Sequence, residues 1–446
     1  MGNADGKAGG KPERRRFANR GPRRKIRGFC AMCLVPFLAA LAPENRAAAF
    51  DRDAYAPGLD FAVPPLLEPY LAGAPEISAR AAVLVDAATG TVLFSKNPNE
   101  AIPPASLTKL MTMHLAQNAV EAGSASFDET VPVGAESWAR NQPPFSSLMF
   151  LEPGQTVTLG ELLLGLAIPS GNDAAVAVAM RFAPSPAEFA RAMTLEAERM
   201  GLSATRFVEP AGISPGNATN AAEFASFARG YLLRHPESLA RFHSVREFAF
   251  PQAGNVREPL RSNPGTIRQE NGNPLLRTFP GTDGLKTGFI PESGYNLALT
   301  ASRDGTRFLA VILGAPTAAD RARDGTLLLS WAFENFRTIR PAAPNPRPAR
   351  LWKGRERLAG LVPERSADFT APLDRIGDRF APLWFSAETD GPLVAPLPAG
   401  RPVGWMVLAD ASGEVHRVRL LTEREHERGN FFRRVWDALR LFLGAR

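Results

Sequence analysis

Three short motifs in this sequence carry side chains that together could perform acyl transfer. In chain order they are Ser106-Leu107-Thr108-Lys109, Ser170-Gly171-Asn172 and Lys286-Thr287-Gly288. Each pattern alone is weak support, because patterns this short arise by chance in a chain of 446 residues. Their order and their predicted structural settings make the combination informative. We therefore interpret the three motifs as parts of one candidate active site.

In the first motif, Ser106 is the predicted nucleophile and Lys109 the predicted general base. A serine hydroxyl is a poor nucleophile at neutral pH and needs a base. The spacing of apolar residues predicts a helix that starts near Ser106, and residues three apart on a helix share one face. Lysine acts as a base only when its pKa falls, and we expect burial and the neighbouring cation Lys286 to lower it. The helix start also offers a backbone N–H to a developing oxyanion.

The other two motifs supply groups that could hold a substrate. Ser170 lies in a predicted loop between two helices, where its hydroxyl could relay a proton to a leaving amine while Asn172 holds the substrate amide. Lys286 and Thr287 lie in a predicted edge strand and would bring a cation and a hydroxyl to a substrate carboxylate. Gly288, without a side chain, would leave room for a peptide backbone to approach.

Metal and cofactor chemistry find no support in the sequence, so we predict neither. The five histidines have no metal-binding spacing, and His114 is interpreted as a packed core residue. The stretch from Gly212 to Gly216 matches G-x-S-x-G, but Pro215 lacks the N–H that a nucleophile elbow gives to its oxyanion, so we interpret it as a loop. Asp173 is interpreted as a residue of a helix N-terminus rather than an acid catalyst.

Residues 1–49 have the features of a secretory signal peptide. They hold eleven Lys or Arg residues, and the apolar run from Phe29 to Ala42 precedes small residues that suit cleavage after Ala49. This run of 14 residues is short for a membrane-spanning helix, and an uncleaved anchor is the alternative. Without the segment the formal net charge is −1 instead of +7, so a nucleic-acid partner loses its support. Both cysteines, Cys30 and Cys33, lie within it.

The order of predicted strands and helices indicates an α/β (α+β) catalytic domain at residues 76–340, after a lead-in segment at 50–75. Strands at both ends of this domain and helices between them predict a sheet with a helical subdomain beside it. A Pro-rich linker at 341–350 precedes a small β-rich domain at 351–427. That domain includes predicted strands at 403–409 and 415–421.

Residues 428–446 are predicted to form an amphipathic helix. From Phe431 to Leu443 it would be about 20 Å long, too short to span a bilayer. An aromatic, Arg-flanked helix of this kind can lie in the membrane interface. We therefore predict an exported protein at the periplasmic face of the inner membrane, with docking of the helix on the protein's own surface as the alternative. The predicted apolar face is Phe432, Val435, Trp436, Leu439 and Leu443, and the opposite face is Arg433, Arg434, Asp437 and Arg440.

At these motifs the sequence resembles the D-alanyl-D-alanine carboxypeptidase family of low-molecular-mass penicillin-binding proteins. The resemblance covers roughly residues 76–340, and the β-rich domain and the terminal helix match the family's layout more loosely. It implies a penicillin-binding-protein/β-lactamase-like transpeptidase fold with a central antiparallel sheet. The segments that carry it are 103–112, 149–172, 283–288 and 294–297.

The resemblance also implies a reaction and its partners. Ser106 would attack the D-Ala-D-Ala carbonyl of a peptidoglycan stem peptide, D-alanine would leave, and water would hydrolyse the ester. β-Lactam antibiotics would acylate the same serine. The oxyanion hole would be the backbone N–H groups of Ser106 and Phe289. Arg321 would lie near the substrate carboxylate, with a surface arginine in a salt bridge as the alternative.

Two residues depart from the family pattern, and three other functions stay open. Glu209 stands where Asn is expected, and Phe289 stands where some relatives have His. These departures put the reaction rate and the substrate preference in doubt, but not the type of reaction. A class A β-lactamase shares the motifs, but its E-x-x-L-N segment is missing here. A D,D-endopeptidase would use the same residues, although such relatives usually lack the C-terminal module. A non-catalytic wall-binding scaffold would not need the intact catalytic set.

Overall fold

The structure is a computed structural model, and it describes residues 58–64, 66–342, 345–375, 384–410 and 413–444. The predicted signal peptide lies outside these residues, as do parts of the predicted lead-in segment and linker. The helices of the described chain are α1 (Glu68–Leu71), α2 (Lys109–Glu121), α3 (Leu159–Ala167), α4 (Asn172–Phe182), α5 (Pro186–Arg199), α6 (Ala221–Arg234), α7 (Leu275–Thr278), α8 (Ala318–Asn335) and α9 (Phe431–Phe442).

The strands fall into a set before α8 and a set after it. The first set is β1 (Ala81–Asp86), β2 (Val92–Lys96), β3 (Thr130–Val131), β4 (Val157–Thr158), β5 (Glu247–Phe250), β6 (Ile267–Glu270), β7 (Thr282–Ile290), β8 (Gly294–Arg303) and β9 (Thr306–Ala315). The second set is β10 (Phe336–Ile339), β11 (Ala349–Trp352), β12 (Leu358–Ala359), β13 (Leu361–Pro363), β14 (Phe369–Pro372), β15 (Trp384–Thr389), β16 (Leu393–Val394), β17 (Pro402–Asp410) and β18 (Gly413–Thr422).

The central sheet has five antiparallel strands in the order β2-β1-β9-β8-β7. It joins strands from the beginning and the end of the predicted catalytic domain, with the helices α2 to α6 between them in sequence. The predicted central antiparallel sheet is therefore confirmed. Strand β7, which carries the third motif, lies at one edge of this sheet.

Alternate residues of β1 belong to two different hydrophobic cores. Ala81, Val83 and Val85 share a core with the apolar side chains of α2, α3 and α6. Ala82 and Leu84 share a second core with α8. Because successive strand residues point to opposite faces, helices cover this sheet on both sides. A sheet with one face in water would alternate apolar and polar residues, which explains why residues 81–85 of β1 are an unbroken apolar run.

Helix α2 is the centre of the helical subdomain. Each residue from Lys109 to Ala119 is buried, so the helix has no solvent-facing side over this stretch. The sequence predicted an apolar face, whereas neighbouring elements surround the helix, as in the interior of a large domain. The chain that carries the first motif is thus anchored in the protein's main core.

The chain after α8 forms a second, β-rich part. Strand β10 pairs with β14, and Thr370 of β14 donates a hydrogen bond to Asp86 at 2.9 Å. The four-stranded sheet β13-β18-β17-β15 has its own buried core. Strands β17 and β18 contain the strands predicted at 403–409 and 415–421. The exact domain limits stay a prediction.

Candidate active site

Ser106 lies in a single 3₁₀ turn, Ala105–Thr108, which runs directly into α2. Lys109 is the first residue of that α-helix. The Nζ atom of Lys109 donates a hydrogen bond to Oγ of Ser106 at 3.0 Å. The predicted proximity of the two side chains is therefore present, although a 3₁₀ turn rather than the first turn of an α-helix provides it.

The ammonium group of Lys109 is fully buried and surrounded by oxygen atoms. Besides Ser106 it donates to Oδ1 of Asn172 at 2.8 Å and to the carbonyl oxygen of Ala211 at 2.6 Å. Burial lowers the pKa of Lys109 to about 7, although the negative charges of Glu209 and Asp173 oppose this change. A lysine with this pKa is partly unprotonated at neutral pH, as a general base requires.

Lys286 is the second buried cation of the site. Burial lowers its pKa well below the ordinary value, and the positive charges of Lys109 and Arg321 lower it further. We expected Lys286 to be a cause of the lowered pKa of Lys109. Burial is the cause at Lys109, and the charge of Lys109 instead acts on Lys286.

The second motif forms the turn between α3 and α4. Ser170 has a positive φ of 62°, and its buried Oγ has no hydrogen-bond partner within the described chain. Asn172 begins α4 and is almost fully buried. We predicted that Asn172 holds the substrate amide, and the structure places its carbonyl oxygen on Lys109.

Asp173 stabilises the same turn through buried hydrogen bonds. Its carboxylate accepts hydrogen bonds from the backbone N–H of Met149 at 2.8 Å and of Leu151 at 3.0 Å. Burial raises the pKa of Asp173, and these backbone hydrogen bonds oppose that effect. The carboxylate therefore joins the N-terminus of α4 to the segment at 149–151, which fits its interpretation as a helix N-terminal residue.

Gly288 allows the edge strand β7 to approach Ser106. A Cβ atom at this position would lie 3.0 Å from the backbone nitrogen of Ser106 and 3.0 Å from the carbonyl oxygen of Pro104. We predicted that this glycine makes room for the substrate backbone, but its nearest neighbours belong to the enzyme. The strand residues after Lys286 thereby lie against the backbone N–H of Ser106.

Arg321 and Phe289 are connected through Tyr295. The ring centroids of Phe289 and Tyr295 are 4.3 Å apart, and the guanidinium carbon of Arg321 lies 5.7 Å from the Tyr295 centroid. Arg321 is buried on α8, so the alternative of a surface arginine is wrong. The charge of Arg321 is one of the causes that lower the pKa of Lys286, so the two side chains lie near each other.

The sequence did not reveal the part of the site formed by residues 209–217. Glu209 accepts hydrogen bonds from the backbone N–H groups of Ala211 and Gly212, both at 2.7 Å. Gly212 lies against the Ala105 carbonyl with no space for a Cβ atom. The G-x-S-x-G stretch is thus the predicted loop, but it packs on the nucleophile turn. The one feature of the sequence that could have pointed to this part of the site was Glu209, which departs from the family pattern.

The buried His114 is a packed core residue, as predicted, and it also belongs to a polar network. Its Nδ1 lies 2.9 Å from Nε2 of His235, and its Nε2 lies 3.2 Å from a carboxylate oxygen of Glu196. Nδ1 of His235 lies 2.6 Å from a carboxylate oxygen of Glu121. The histidines of this network lie far apart in the sequence, so no periodic pattern predicted that they contact each other.

A serine that accepts a hydrogen bond from a buried lysine, beside an edge strand with a second buried lysine, is typical of serine acyl-transfer enzymes. Comparison with known proteins identifies the family to which the chain belongs. The Peptidase S11 profile, described as D-alanyl-D-alanine carboxypeptidase, matches residues 69–317. The chain belongs to this family and is a serine-type D-Ala-D-Ala carboxypeptidase, as the resemblance implied.

Similar proteins and structures agree with this assignment. D-alanyl-D-alanine carboxypeptidase DacC of Escherichia coli (strain K12) is 34% identical over 370 residues, which cover 82% of this chain and 88% of that protein. The structure of penicillin-binding protein 5 from Haemophilus influenzae matches with a TM-score of 0.69 and 29% identity, over 79% of this chain and 98% of that one.

A further similar structure has an antibiotic bound. Penicillin-binding protein D2 from Listeria monocytogenes, in its cefotaxime-bound form, matches with a TM-score of 0.51 and 28% identity, over 58% of this chain and 98% of that one. These matches confirm the predicted penicillin-binding-protein fold. The alternative functions considered from the sequence are not better supported.

Proposed function

We propose that this carboxypeptidase removes the terminal D-alanine from peptidoglycan stem pentapeptides with Ser106 as nucleophile and Lys109 as general base. One observation carries the proposal: Nζ of Lys109 lies 3.0 Å from Oγ of Ser106. Burial, which lowers the pKa of this lysine to about 7, gives it the capacity to accept the serine proton.

In the acylation step, Oγ of Ser106 attacks the carbonyl carbon of the penultimate D-alanine and its proton passes to Nζ of Lys109. The backbone N–H groups of Ser106 and Phe289 stabilise the negative charge that develops on the carbonyl oxygen. The C–N bond then breaks, and the departing amine of D-alanine takes up a proton with Ser170 as the relay. In a β-lactam the broken bond is that of the ring, so the amine stays attached.

In the deacylation step, water attacks the ester carbon of the acyl-enzyme. Lys109 accepts a proton from this water, the ester C–O bond breaks, and the proton returns to Oγ of Ser106. Before acylation, Lys286, Thr287 and Arg321 bind the substrate's terminal carboxylate. A buried cation without a bound anion is costly, so the pair Lys286 and Arg321 favours a carboxylate at this position.

The test is release of D-alanine from a soluble stem pentapeptide by the wild type and by Lys109→Arg. Arginine keeps the positive charge but does not lose its proton. We expect about a thousandfold loss of kcat/KM in Lys109→Arg. The matched control is Lys96→Arg, since Lys96 donates to the Ile77 carbonyl oxygen on the far side of the sheet. Equal activity of the two variants would exclude Lys109 as the base.

We also propose that the protein is exported through residues 1–49 and lies on the periplasmic face of the inner membrane through α9. Among the described residues, no helix combines the length and the apolar character needed to cross a bilayer. The carboxylate of Asp437 accepts from the backbone N–H of Lys353 at 2.7 Å, and Arg433 donates to the Glu356 carbonyl oxygen at 2.8 Å. Helix α9 thus contacts the protein through its charged side.

The opposite side of α9 is exposed and apolar, which supports an interfacial position. Phe432 is 82% exposed and Phe442 is 88% exposed. The test is flotation of the purified protein with vesicles of anionic phospholipid. We expect Trp436→Glu to abolish flotation, and Leu260→Glu, a change at an exposed leucine in the catalytic region, to leave it unchanged. Equal flotation of both variants would contradict the proposal.

A further inference from the structure

Glu209 directs its carboxylate at a row of backbone N–H groups. Besides those of Ala211 and Gly212 it accepts from the N–H of Ile213 at 2.9 Å and from Nδ2 of Asn217 at 2.9 Å. A carboxylate offers about four lone pairs and no donor, so it can accept all of these hydrogen bonds at once. An amide at this position would turn its own N–H₂ group towards part of the row.

The loop that Glu209 organises touches the catalytic lysine and its helix. The carbonyl oxygen of Ala211 accepts from Nζ of Lys109 at 2.6 Å, while Oε2 of Glu209 holds the N–H of the same Ala211. The preceding carbonyl, that of Pro210, accepts from Oγ1 of Thr112 on α2 at 2.7 Å. Glu209 and the proposed base, Lys109, therefore both form hydrogen bonds with the backbone of Ala211.

We propose that Glu209 is a positioning residue of the peptidase: it holds the loop at 210–214 so that the Ala211 carbonyl faces Lys109, and it keeps a negative charge beside the protonated form of that lysine. The inference rests on the proposed role of Lys109 as the base. Within the described chain, no arginine or lysine pairs with this carboxylate, so its charge is not cancelled locally.

Several charged groups face Lys109 from the elements packed around it. Glu209 from the loop and Asp173 from α4 raise the pKa of Lys109 against the larger effect of burial, and Glu209 is the stronger of the two. Lys286 of β7 lies close enough for the charge of Lys109 to lower its pKa, but it is not among the groups that change the pKa of Lys109. The charge of Glu209 partly offsets the lowering of the Lys109 pKa by burial. Without that charge, the pKa of Lys109 falls. The ascending limb of the acylation rate, which follows loss of the lysine proton, then moves to lower pH.

The experiment is the second-order rate constant for acylation by a penicillin, measured from about pH 5 to pH 10 for purified wild type, Glu209→Gln and Glu209→Asp. We expect Glu209→Gln to move the midpoint of the ascending limb down by roughly one pH unit and to lower the plateau about tenfold. Glu209→Asp keeps the charge, so its midpoint stays at the wild-type value even where its shorter side chain lowers the plateau.

The matched control is Glu223→Gln. Glu223 also holds a backbone N–H, that of Ala204 at 2.9 Å, but it is not among the groups that change the pKa of Lys109. A midpoint that is unchanged in Glu209→Gln, or shifted equally in Glu209→Asp and Glu223→Gln, overturns the inference. Should Glu209→Gln not fold, a shifted midpoint in Glu209→Asp overturns it alone. Failure of the proposed role of Lys109 is distinct, because Lys109→Arg would then be acylated as fast as Lys96→Arg.

Discussion

Oδ1 of Asn172 accepts a hydrogen bond from Nζ of Lys109 at 2.8 Å, which joins the second motif to the first. The two residues begin different helices, α4 and α2. A neutral amide in this place binds the lysine but adds no negative charge. It therefore does not favour the protonated form of the lysine as a carboxylate would. The amide side chain therefore keeps Lys109 in place while leaving its low pKa intact.

Asn172→Asp tests this relationship. The new carboxylate would face the ammonium group at hydrogen-bond distance, favour the protonated form of Lys109 and raise its pKa above about 7. Because the base must lose that proton, we expect the ascending limb of the acylation rate to move to higher pH and the rate at pH 7 to fall about tenfold or more. The measurement is penicillin acylation as a function of pH.

The control for this change is Asn430→Asp. Asn430 caps α9, and Asp serves as well as Asn at that position. This variant adds the same charge far from the site and leaves the pH profile unchanged. A lower or unaltered midpoint in Asn172→Asp would contradict the account of the lysine.

Arg321→Gln should weaken the selection for a free terminal carboxylate. Arg321 is buried beside Lys286 and Tyr295, whereas Arg323 on the same helix is 58% exposed and pairs with Asp320. We expect Arg321→Gln to lower kcat/KM about tenfold for a pentapeptide with a free C-terminus, chiefly through KM, and to leave a C-terminally amidated peptide unaffected. The matched Arg323→Gln should resemble the wild type, and equal losses on both peptides would argue against carboxylate binding.

Gly288→Ala should separate β7 from the nucleophile turn. The added Cβ would meet the Ser106 nitrogen and the Pro104 carbonyl oxygen at 3.0 Å each, a distance below ordinary van der Waals contact. A displacement of the strand by a fraction of an ångström misaligns the oxyanion hole, and we expect acylation to slow roughly a hundredfold. Gly254→Ala, where nothing lies within 4 Å of the new atom, is the control. Wild-type rates in Gly288→Ala would show that the strand tolerates the side chain.

The network around His114 should make the protein sensitive to acid. Burial raises the pKa of Glu196, but hydrogen bonds and charges from His114 and Arg199 outweigh it and lower the pKa to about 2. This stabilisation is present above the ordinary carboxyl pKa and is lost as pH falls towards about 2. Burial lowers the pKa of His235 to about 4, so its neutral form stabilises the fold at neutral pH and that contribution is lost between about 6.5 and 4.

Urea unfolding at several pH values measures this effect. We expect the free energy of unfolding to fall steadily as pH drops below about 6.5, with Glu196→Gln less stable than the wild type by about 1–3 kcal/mol at pH 7. Glu198→Gln, an exposed neighbour on α5, should behave as the wild type. A Glu196→Gln variant as stable as the wild type would mean that the network contributes nothing.

Sequence patterns predicted the elements whose burial is regular. Apolar runs predict strands at 82–86, 295–301 and 308–313, and helical spacing predicts helices at 159–166, 187–200 and 221–233. Strands β1, β8 and β9 and helices α3, α5 and α6 begin and end close to these positions, because such patterns reflect packing directly. The motif spacing also predicted that Lys109 reaches Ser106, since a separation of three residues is a local property. The catalytic roles of these residues stay predictions.

Features that depend on contacts between distant segments could not be predicted. Ala211 lies about a hundred residues after Lys109, and a backbone carbonyl leaves no trace in residue type. The side chain that organises that loop, Glu209, differed from the family pattern but gave no hint of its hydrogen bonds. Likewise the close approach of Gly288 to the backbone at Ser106, 182 positions earlier in the sequence, left no signal in residue type.

Covalent labelling by a fluorescent penicillin, read on a denaturing gel, tests whether Ser106 is the acylated nucleophile. The proteins compared are the wild type, Ser106→Ala and, as a control, Ser262→Ala, a change at an exposed serine in the 3₁₀ turn Leu260–Ser262. We expect a label on the wild type and on Ser262→Ala that is absent from folded Ser106→Ala. Label retained in Ser106→Ala, or no label on folded wild type, would contradict the assignment of Ser106 as the acylated nucleophile.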